Sequence, residues 1–468
     1  MNHLKQIFIY TIIAFGVILN SSCSEDNDFV SDPFVVAFET PSGNILEIET
    51  QQNIGLVYSK TAIENGSVSI MVDAQNAVYG VDFTTQPEVV NNTITLAISQ
   101  GETANNIIFN KINSGLDETT EIEFLITEIS YTDSNIQGST YYKLNALASE
   151  GGSSLPEIGG PNQGNQVYID LSTNTETNVW RDSWDLGFYS GSESRVVLNG
   201  SIYMATTALE FTDIDAVTQS DVSALQSEVA MGTFNPANEA YIDVPDGDIT
   251  GTAIAEISDD NSQNKVYLLN LGYEVGTNTP TIGSAEVAGA HRGWKKIRIL
   301  KSGNDYILQY ANIDSNTHQE ITIGKNPDYN FSFFSFNTES EVSVEPEKDR
   351  WDICFSVFTN VIAGAGSYGY SDFVFHNRKG DVTAYMFEAT TDLTYDSFTS
   401  SDIDNSLLLE DQRVIGSTWR DVFSGTPFNN KFYILKDPNG NFYKIRFLAL
   451  TNDIGERGYP EFEFELLQ

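Results

Sequence analysis

The hexapeptide Ser-Trp-Asp-Leu-Gly-Phe at residues 183–188 returns as Arg-Trp-Asp-Ile-Cys-Phe at residues 350–355. Lys-Val-Tyr-Leu-Leu at 265–269 returns as Lys-Phe-Tyr-Ile-Leu at 431–435, and Lys-Ile-Arg at 296–298 returns at 444–446. The first two offsets, 184 to 351 and 267 to 433, are nearly equal and far exceed the roughly 20–50 residues of a solenoid repeat. The sequence therefore predicts two tandem copies of one domain, at 166–327 and 328–468, each with its own core seeded by its own tryptophan.

The repeated hexapeptide has the composition of a buried strand. With a side-chain period of two, Trp351, Ile353 and Phe355 share one face of a sheet, whereas Asp352 and Cys354 share the other. Because an indole and a phenyl ring each bury about 150–250 Å², we expect this strand to anchor the core. Cys354 is expected to be a buried, inert thiol rather than a nucleophile.

The N-terminus has the pattern of an export signal. Lys5 precedes an apolar run at 7–19, which is too short to span a roughly 30 Å bilayer core. Small residues then lead to Cys23, which predicts a signal peptide over 1–23 ending in a lipidated cysteine; ordinary secretion is the alternative. The acidic run at 24–28 resembles the signal that carries some Gram-negative lipoproteins to the outer face of the outer membrane, so we expect a cell-surface lipoprotein.

The net charge and the cysteine content exclude a nucleic-acid function and an internal disulfide. The 468-residue chain has a formal net charge of −41, and Lys5 is its only charged residue before Cys23. A surface this acidic repels nucleic acid and anionic lipid, which excludes a nucleic-acid function. With Cys23 lipidated, Cys354 has no partner for an internal disulfide.

The composition predicts an all-β protein in which an N-terminal β-sandwich is followed by two antiparallel β domains. Within an N-terminal domain at 24–149, alternating apolar runs predict strands at 34–38, 45–48, 54–58, 68–72, 94–98, 106–109 and 122–126. Residues 150–165 are rich in Gly, Ser and Pro and predict a flexible linker. The clearest predicted helix covers 219–231.

The N-terminal domain resembles Calx-β modules. The resemblance rests on Tyr-Gly-Val-Asp-Phe at 79–83, a strand at 94–98 and an acidic cluster at 117–121. It implies a possible Ca²⁺ site with Asp82, Asp117, Glu118 and Glu121 as ligands, since carboxylates suit a hard cation. The alternative is that these side chains are solvated loop acids of a spacer domain.

The two copies resemble the HmuY family of all-β, haem-binding outer-membrane lipoproteins. The resemblance rests on the Trp-Asp-Ile strand, on Lys-Asp-Pro-Asn-Gly at 436–440, and on Gly-Tyr-Pro-Glu-Phe-Glu-Phe at 458–464. It covers nearly all of the second copy and, more weakly, the first. It implies haem held in an apolar cleft by two axial His or Met ligands.

The family commonly places its first histidine directly after the Trp-Asp strand, where this chain has Tyr189 and Ser356. The remaining haem-ligand candidates are Met386, His376 and Met204. The two methionines end comparable short segments, Ile-Tyr-Met and Ala-Tyr-Met, and are either ligands or core residues kept twice. His376 either binds iron or hydrogen-bonds a turn.

The repeated basic residues need anionic partners in so acidic a chain. Lys296, Arg298, Lys444 and Arg446 alternate with apolar positions and are expected to point away from the core. Their partners are either carboxylates on the adjacent strand or the propionates of a bound haem.

These observations predict a surface lipoprotein that binds haem or a related porphyrin and hands it to an outer-membrane uptake system. The sequence contains none of the common catalytic motifs, so we expect a binding protein; a pair of carboxylates of the glycosidase type is the alternative. The alternative is a non-catalytic glycan- or protein-interaction lipoprotein that kept the HmuY fold without the iron site. Exposed aromatic side chains near Tyr368 and Tyr370 would favour that alternative.

Overall fold

A computed structural model describes residues 33–46, 48–112, 116, 119–145 and 149–467. The predicted signal peptide and the lipidated Cys23 lie outside these residues. Nearly all regular structure is β-strand, as predicted. Within the described ranges, no helix is both long and apolar enough to cross a bilayer.

The N-terminal domain is a sandwich of two five-stranded sheets, β5-β7-β3-β1-β9 and β2-β10-β8-β4-β6. Its strands are β1 (Phe34–Phe38), β2 (Ser42–Asn44), β3 (Gln51–Tyr58), β4 (Gly66–Gln75), β5 (Phe83–Gln86), β6 (Thr93–Ile98), β7 (Ala104–Lys111), β8 (Glu121–Ser130), β9 (Ser134–Asn135) and β10 (Tyr141–Asn145). Alternate residues face one shared core, as Val68, Ile70 and Val72 do in β4.

Six of the seven strands predicted in this domain are present. The exception is 45–48, where the preceding Ser42–Asn44 forms β2 instead and pairs in parallel with β10. Ile45 and Ile48 are buried without being in a strand. Their apolar character therefore reflects burial in the core and not sheet pairing.

The segment predicted as a flexible linker is not one. Gly151–Ser154 forms β11, which pairs antiparallel with the last strand of the chain, and Ile158 is buried in the core of the second copy. The sequence rule failed because backbone hydrogen bonds to a sheet edge require no apolar side chains.

The first copy contains β12 (Asn165–Asp170), β13 (Thr175–Trp180), β14 (Leu186–Tyr189), β15 (Val196–Leu198), β16 (Ala205–Ala208), β17 (Val266–Asn270), β18 (Tyr273–Val275), β19 (Ala288–His291), β20 (Trp294–Ser302), β21 (Asp305–Ala311) and β22 (Gln319–Ile323). The predicted helix at 219–231 is shorter than expected: α1 covers Gln219–Val222, and a 3-10 turn follows at Leu225–Ser227. Thr218 and Asp221 form a capping box that fixes its start.

The second copy contains β23 (Phe331–Ser335), β24 (Ser340–Val342), β25 (Ile353–Ile362), β26 (Gly366–His376), β27 (Thr383–Glu388), β28 (Arg420–Asp421), β29 (Thr426–Pro427), β30 (Lys431–Lys436), β31 (Phe442–Thr451) and β32 (Arg457–Leu467). Further 3-10 turns are found at Gly160–Asn162, Gly200–Ile202, Ile214–Ala216, Pro236–Tyr241, Ile249–Gly251, Arg378–Gly380, Ser400–Asp402 and Asn405–Leu407.

Each copy forms the main part of one five-stranded sheet: β16-β17-β20-β21-β22 belongs to the first copy, and β11-β32-β31-β30-β27 consists of four strands of the second copy and β11 from the segment at 150–165. The remaining strands are exchanged between the copies. The opening hairpin of the first copy joins the Trp-Asp hairpin of the second in the sheet β13-β12-β25-β26. The opening hairpin of the second copy joins the Trp-Asp hairpin of the first in the sheet β15-β14-β23-β24.

The motif aspartates fasten this exchange. Asp352 accepts a hydrogen bond from the backbone N–H of Leu171 at 2.8 Å, and Asp185 accepts the equivalent bond from Phe336 at 2.6 Å. Each aspartate therefore holds the end of an opening strand that belongs to the other copy.

The exchange corrects the prediction of two self-contained cores. Phe334 and Phe336 of the second copy lie in the core of the first, and Val167 and Ile169 of the first copy lie in the core of the second. The core of each copy contains side chains of the other copy. The two copies predicted from the sequence are therefore not independent folding units.

Candidate functional site

The two motif tryptophans meet in one cluster between the copies, contrary to the prediction that each seeds a separate interior. This central cluster comprises Tyr168, Trp184, Phe333, Val344, Trp351 and Cys354. Trp351 does not share a face with Ile353 and Phe355 as predicted, because it precedes the first residue of β25 and is not held to strand alternation. Burial raises the pKa of the free Cys354 thiol well above its usual range, consistent with an inert thiol.

The cluster contains two equivalent ring pairs. Trp351 packs edge-to-face on Tyr168 with centroids 5.0 Å apart, and Trp184 packs edge-to-face on Phe333 at 4.8 Å. Strand pairing confirms the equivalence, since Tyr168 lies opposite Cys354 and Phe333 lies opposite Gly187, the matching residues of the two hexapeptides.

An asparagine fixes the start of each Trp-Asp strand. The Asn199 side chain donates to the carbonyls of Arg181 and Trp184 at 2.7 and 2.8 Å. The Asn377 side chain donates to the carbonyls of Lys348 and Trp351 at 2.8 and 3.0 Å. Both halves therefore hold the backbone before and at the tryptophan by equivalent hydrogen bonds from an asparagine side chain.

A cavity of about 170 Å³ lies beside these rings, between the two copies. Both ring pairs line it, together with Phe331, Phe358 and Phe375 on the apolar side. Its charged lining residues are Asp243, Asp248, Glu345, Arg378 and Lys379. An apolar cavity with a few convergent polar groups is the usual form of a small-molecule site.

The equivalence of the two halves breaks at the tryptophan N–H groups. Trp184 Nε1 donates to Gln166 Oε1 at 2.7 Å. Phe331 stands at the position equivalent to Gln166, two residues before Phe333, and offers no acceptor. Trp351 Nε1 is consequently buried without a hydrogen-bond partner among the described residues.

Charged groups gather at one end of the cavity. Glu345 Oε1 accepts from the Phe331 backbone N–H at 2.9 Å, and Lys379 Nζ donates to the Gly247 carbonyl at 2.9 Å. Burial raises the pKa of Glu345 and lowers the pKa of Lys379, and their mutual attraction opposes both shifts. Burial also raises the pKa of Asp243 to about 6.

The three haem-ligand candidates do not converge. Met204 is buried in the core of the first copy, and Met386 is 38% exposed on β27. The two methionines do not occupy equivalent positions in the two copies. The Met204 N–H donates to the carbonyl of Asn199, and in the second copy the N–H that donates to the equivalent Asn377 carbonyl is that of Val382.

His376 is fully buried, and neither ring nitrogen has a hydrogen bond of ordinary geometry within the described part of the chain. Burial lowers its pKa to about 4, although the Glu410 carbonyl and Asp411 favour the protonated ring. It follows Val374 by two residues, so its ring lies on the face of β26 toward the core of the second copy. His376 and Met204 both border the cavity, but from different copies and different cores.

The four basic candidates are engaged by protein oxygens, and none lines the cavity. Lys444 Nζ lies 3.1 Å from Glu465, and Arg446 binds Glu463, both on the adjacent strand, as the carboxylate alternative predicts. In the first copy the partners are backbone carbonyls. Lys296 Nζ donates to Val217 and Ser315 at 2.7 and 2.6 Å, and Arg298 donates to Asn261 and Asn264 at 2.6 and 3.0 Å.

Of the four calcium candidates, Asp117 and Glu118 lie outside the described residues. Asp82 accepts from the Val78 N–H at 2.7 Å within a turn, and Glu121 lies 3.6 Å from Lys143 Nζ. The described ranges contain no group of three His, Cys, Asp or Glu side chains arranged to hold a metal ion. The calcium site therefore remains a prediction.

Sequence reasoning missed the residues that line the cavity. Glu345 and Lys379 carry no motif, and Tyr168 was not singled out in its strand. The available signal was Trp351, which was interpreted as a core residue alone. Its position at the junction of two copies became visible only once the exchanged hairpins were known.

Comparison with solved structures gives two distant likenesses. A crystal structure of the apo form of the Calx CBD1 domain matches with 14% identity over 24% of this chain and 96% of that one, with a TM-score of 0.20. A putative carbohydrate binding protein from Bacteroides ovatus matches with 10% identity over 73% of this chain and 97% of that one, with a TM-score of 0.16. No curated protein is matched by the sequence.

Both copies match one known protein family. The model described as HmuY protein matches residues 162–320 and again residues 328–464, which together make up more than half of the chain. Both matched regions coincide with the tandem copies that exchange their hairpins. The chain therefore belongs to the HmuY family.

Proposed function

We propose that this chain is a non-catalytic, cell-surface lipoprotein that captures a ligand in the cavity between its two HmuY copies and passes it to an outer-membrane uptake system. The observation that carries the proposal is the cavity itself, with aromatic walls and a buried, unpartnered Trp351 N–H. A buried donor without a partner costs about 1–3 kcal/mol, which a bound acceptor would recover. The signal sequence and the acidic run after Cys23 support the surface location.

Family membership makes haem or a related porphyrin the first ligand class to test. The donor chemistry is available, since His376 is neutral near pH 7 and Met204 offers a thioether. The geometry does not fit: the two side chains belong to separate cores, and about 170 Å³ is below the roughly 300–1,000 Å³ of sites that enclose drug-sized ligands. A porphyrin is not accommodated by the cavity in this conformation.

Titration of the full-length chain with haemin tests this ligand class. A Soret shift that is lost in His376→Ala or Met204→Ala, and kept in Met71→Ala, supports haem capture. Met71 is a suitable control because it is 41% exposed on β4 of the N-terminal domain and belongs to neither copy. An unchanged Soret spectrum at micromolar protein would remove porphyrin as the ligand.

A second candidate function, glycan or protein interaction, is favoured by one surface. Phe234 is 69% exposed, and its ring lies 5.9 Å from that of Tyr368, which in turn lies 5.4 Å from Tyr370. Aromatic rings displayed in this way suit stacking contacts with a partner. Loss of oligosaccharide binding in Tyr368→Ala, with binding kept in Tyr141→Ala, which removes an exposed ring from β10 of the N-terminal domain, would support this function.

A further inference from the structure

The cavity presents hydrogen-bonding groups that the protein itself does not use. Trp351 Nε1–H has no acceptor within the described residues, and Tyr168, which carries a hydroxyl group, lines the same cavity; both side chains are more than nine-tenths buried. Their rings pack against each other at 5.0 Å. The Trp351 N–H and the Tyr168 hydroxyl therefore belong to the same wall of the cavity.

The acidic lining groups are, by contrast, already supplied with donors. Asp243 accepts from the backbone N–H groups of Leu198 and Ala253 at 2.7 and 2.8 Å, and Glu345 accepts from that of Phe331 at 2.9 Å. Lys379 Nζ has three protons and donates one to the Gly247 carbonyl. The unused polar groups beside Trp351 are donors, so a ligand that binds at this wall must bring an acceptor.

The size and walls of the cavity define the rest of the ligand. A volume of about 170 Å³ is close to the roughly 150 Å³ of an engineered apolar cavity that binds benzene. The walls include Trp184, Phe331 and Phe333, whose rings favour stacked or edge-to-face contact with another ring. One six-membered ring with a short polar substituent fills such a space.

We propose that the cavity binds a single-ring aromatic compound carrying a carbonyl or carboxylate oxygen, which accepts hydrogen bonds from Trp351 and Tyr168. The proposal rests on the cavity being the ligand site of the proposed function. Lys379 lies at the same cavity, with its Nζ 5.5 Å from the Phe331 ring centroid, and adds a cationic group that favours a carboxylate over a neutral carbonyl.

Calorimetric titration of the full-length chain with benzoate, benzamide and toluene tests the proposal. Benzoate or benzamide is expected to bind at least tenfold more tightly than toluene, which has the ring but no acceptor. Trp351→Phe, which keeps a ring and removes the N–H, is expected to weaken binding about tenfold, as is Tyr168→Phe by a smaller factor. Trp180→Phe is the matched control, since that indole is 51% exposed and lies outside the cavity.

Equal binding of toluene, or unchanged affinity in Trp351→Phe with the protein folded, would overturn the proposal. Haemin binding without benzoate or benzamide binding would overturn it too but leave the proposed function standing. If neither haemin nor any of the small probes binds, the capture function itself fails. In that case water alone satisfies the Trp351 N–H.

Discussion

The first and second copies carry the same hexapeptide, the same asparagine anchor and the same exchanged hairpin, yet they differ where they border the cavity. Trp184 has Gln166 as its acceptor, whereas Trp351 faces a position occupied by Phe331. The residue before the anchoring asparagine is Leu198 in one copy and His376 in the other. Groups that hold the fold are kept, whereas groups at the cavity have diverged. This difference supports the proposal that the ligand site lies at the junction and not within either copy.

The largest expected effect tests whether side chains of each copy form part of the other copy's core. Phe334→Ala removes a second-copy ring from the first core and is expected to cost about 3–5 kcal/mol of unfolding free energy. Hydrogen exchange should show the loss of protection in β14, β17 and β20 of the first copy. Ile169→Ala is the reciprocal change and should act on the second copy. Loss of protection confined to the mutated copy would show that the hairpins are not exchanged.

The second prediction concerns His376, which occupies the position of Leu198 in the first copy. The His376 pKa is lowered to about 4 from 6.5, so the unfolded chain binds more protons between these values and stability falls as the pH falls through this window. His376→Leu should therefore abolish about 2 kcal/mol of the stability lost between pH 7 and pH 5. Chemical denaturation of both proteins at pH 7 and pH 5 gives the unfolding free energies. If His376→Leu lost as much stability between these pH values as the unmodified protein, a buried neutral imidazole would be contradicted.

The smallest effect compares the two indoles. Trp184→Phe leaves Gln166 Oε1 buried without its donor, whereas Trp351→Phe removes a donor that has no acceptor. Both changes lose similar ring volume, so the first should destabilise the protein by about 1–2 kcal/mol more than the second. Paired urea denaturation curves in the absence of ligand give this difference. Equal values would mean that the two N–H groups have equivalent surroundings.

The strands were largely predictable because their side chains carry the signal. The face containing Tyr443, Ile445 and Phe447 lies in the core of the second copy as the alternation indicated. The partner strands were not predictable, since alternation identifies an apolar face but not the strand beside it. With two similar copies, each opening hairpin matches either Trp-Asp strand equally well.

The candidate site was less predictable than the fold. Tyr168, Glu345 and Lys379 come from segments far apart in sequence and meet only through the exchanged sheets. The prediction that Met204 and Met386 are equivalent was wrong for a physical reason. The two residues follow similar short sequences, but they lie at different distances along the chain from the anchoring asparagine, and Val382 is the residue that corresponds to Met204. Short sequence similarity did not fix the position of a side chain relative to the asparagine anchor.

The reciprocal hairpins also impose an order on synthesis. When the ribosome has produced the whole first copy, β14 still lacks its neighbour β23, and β12 waits for β25, which begins at residue 353. Neither half can reach its native state until most of the polypeptide has been made. Maturation of this protein is therefore expected to be a late, concerted event, governed by contacts between segments well over a hundred residues apart.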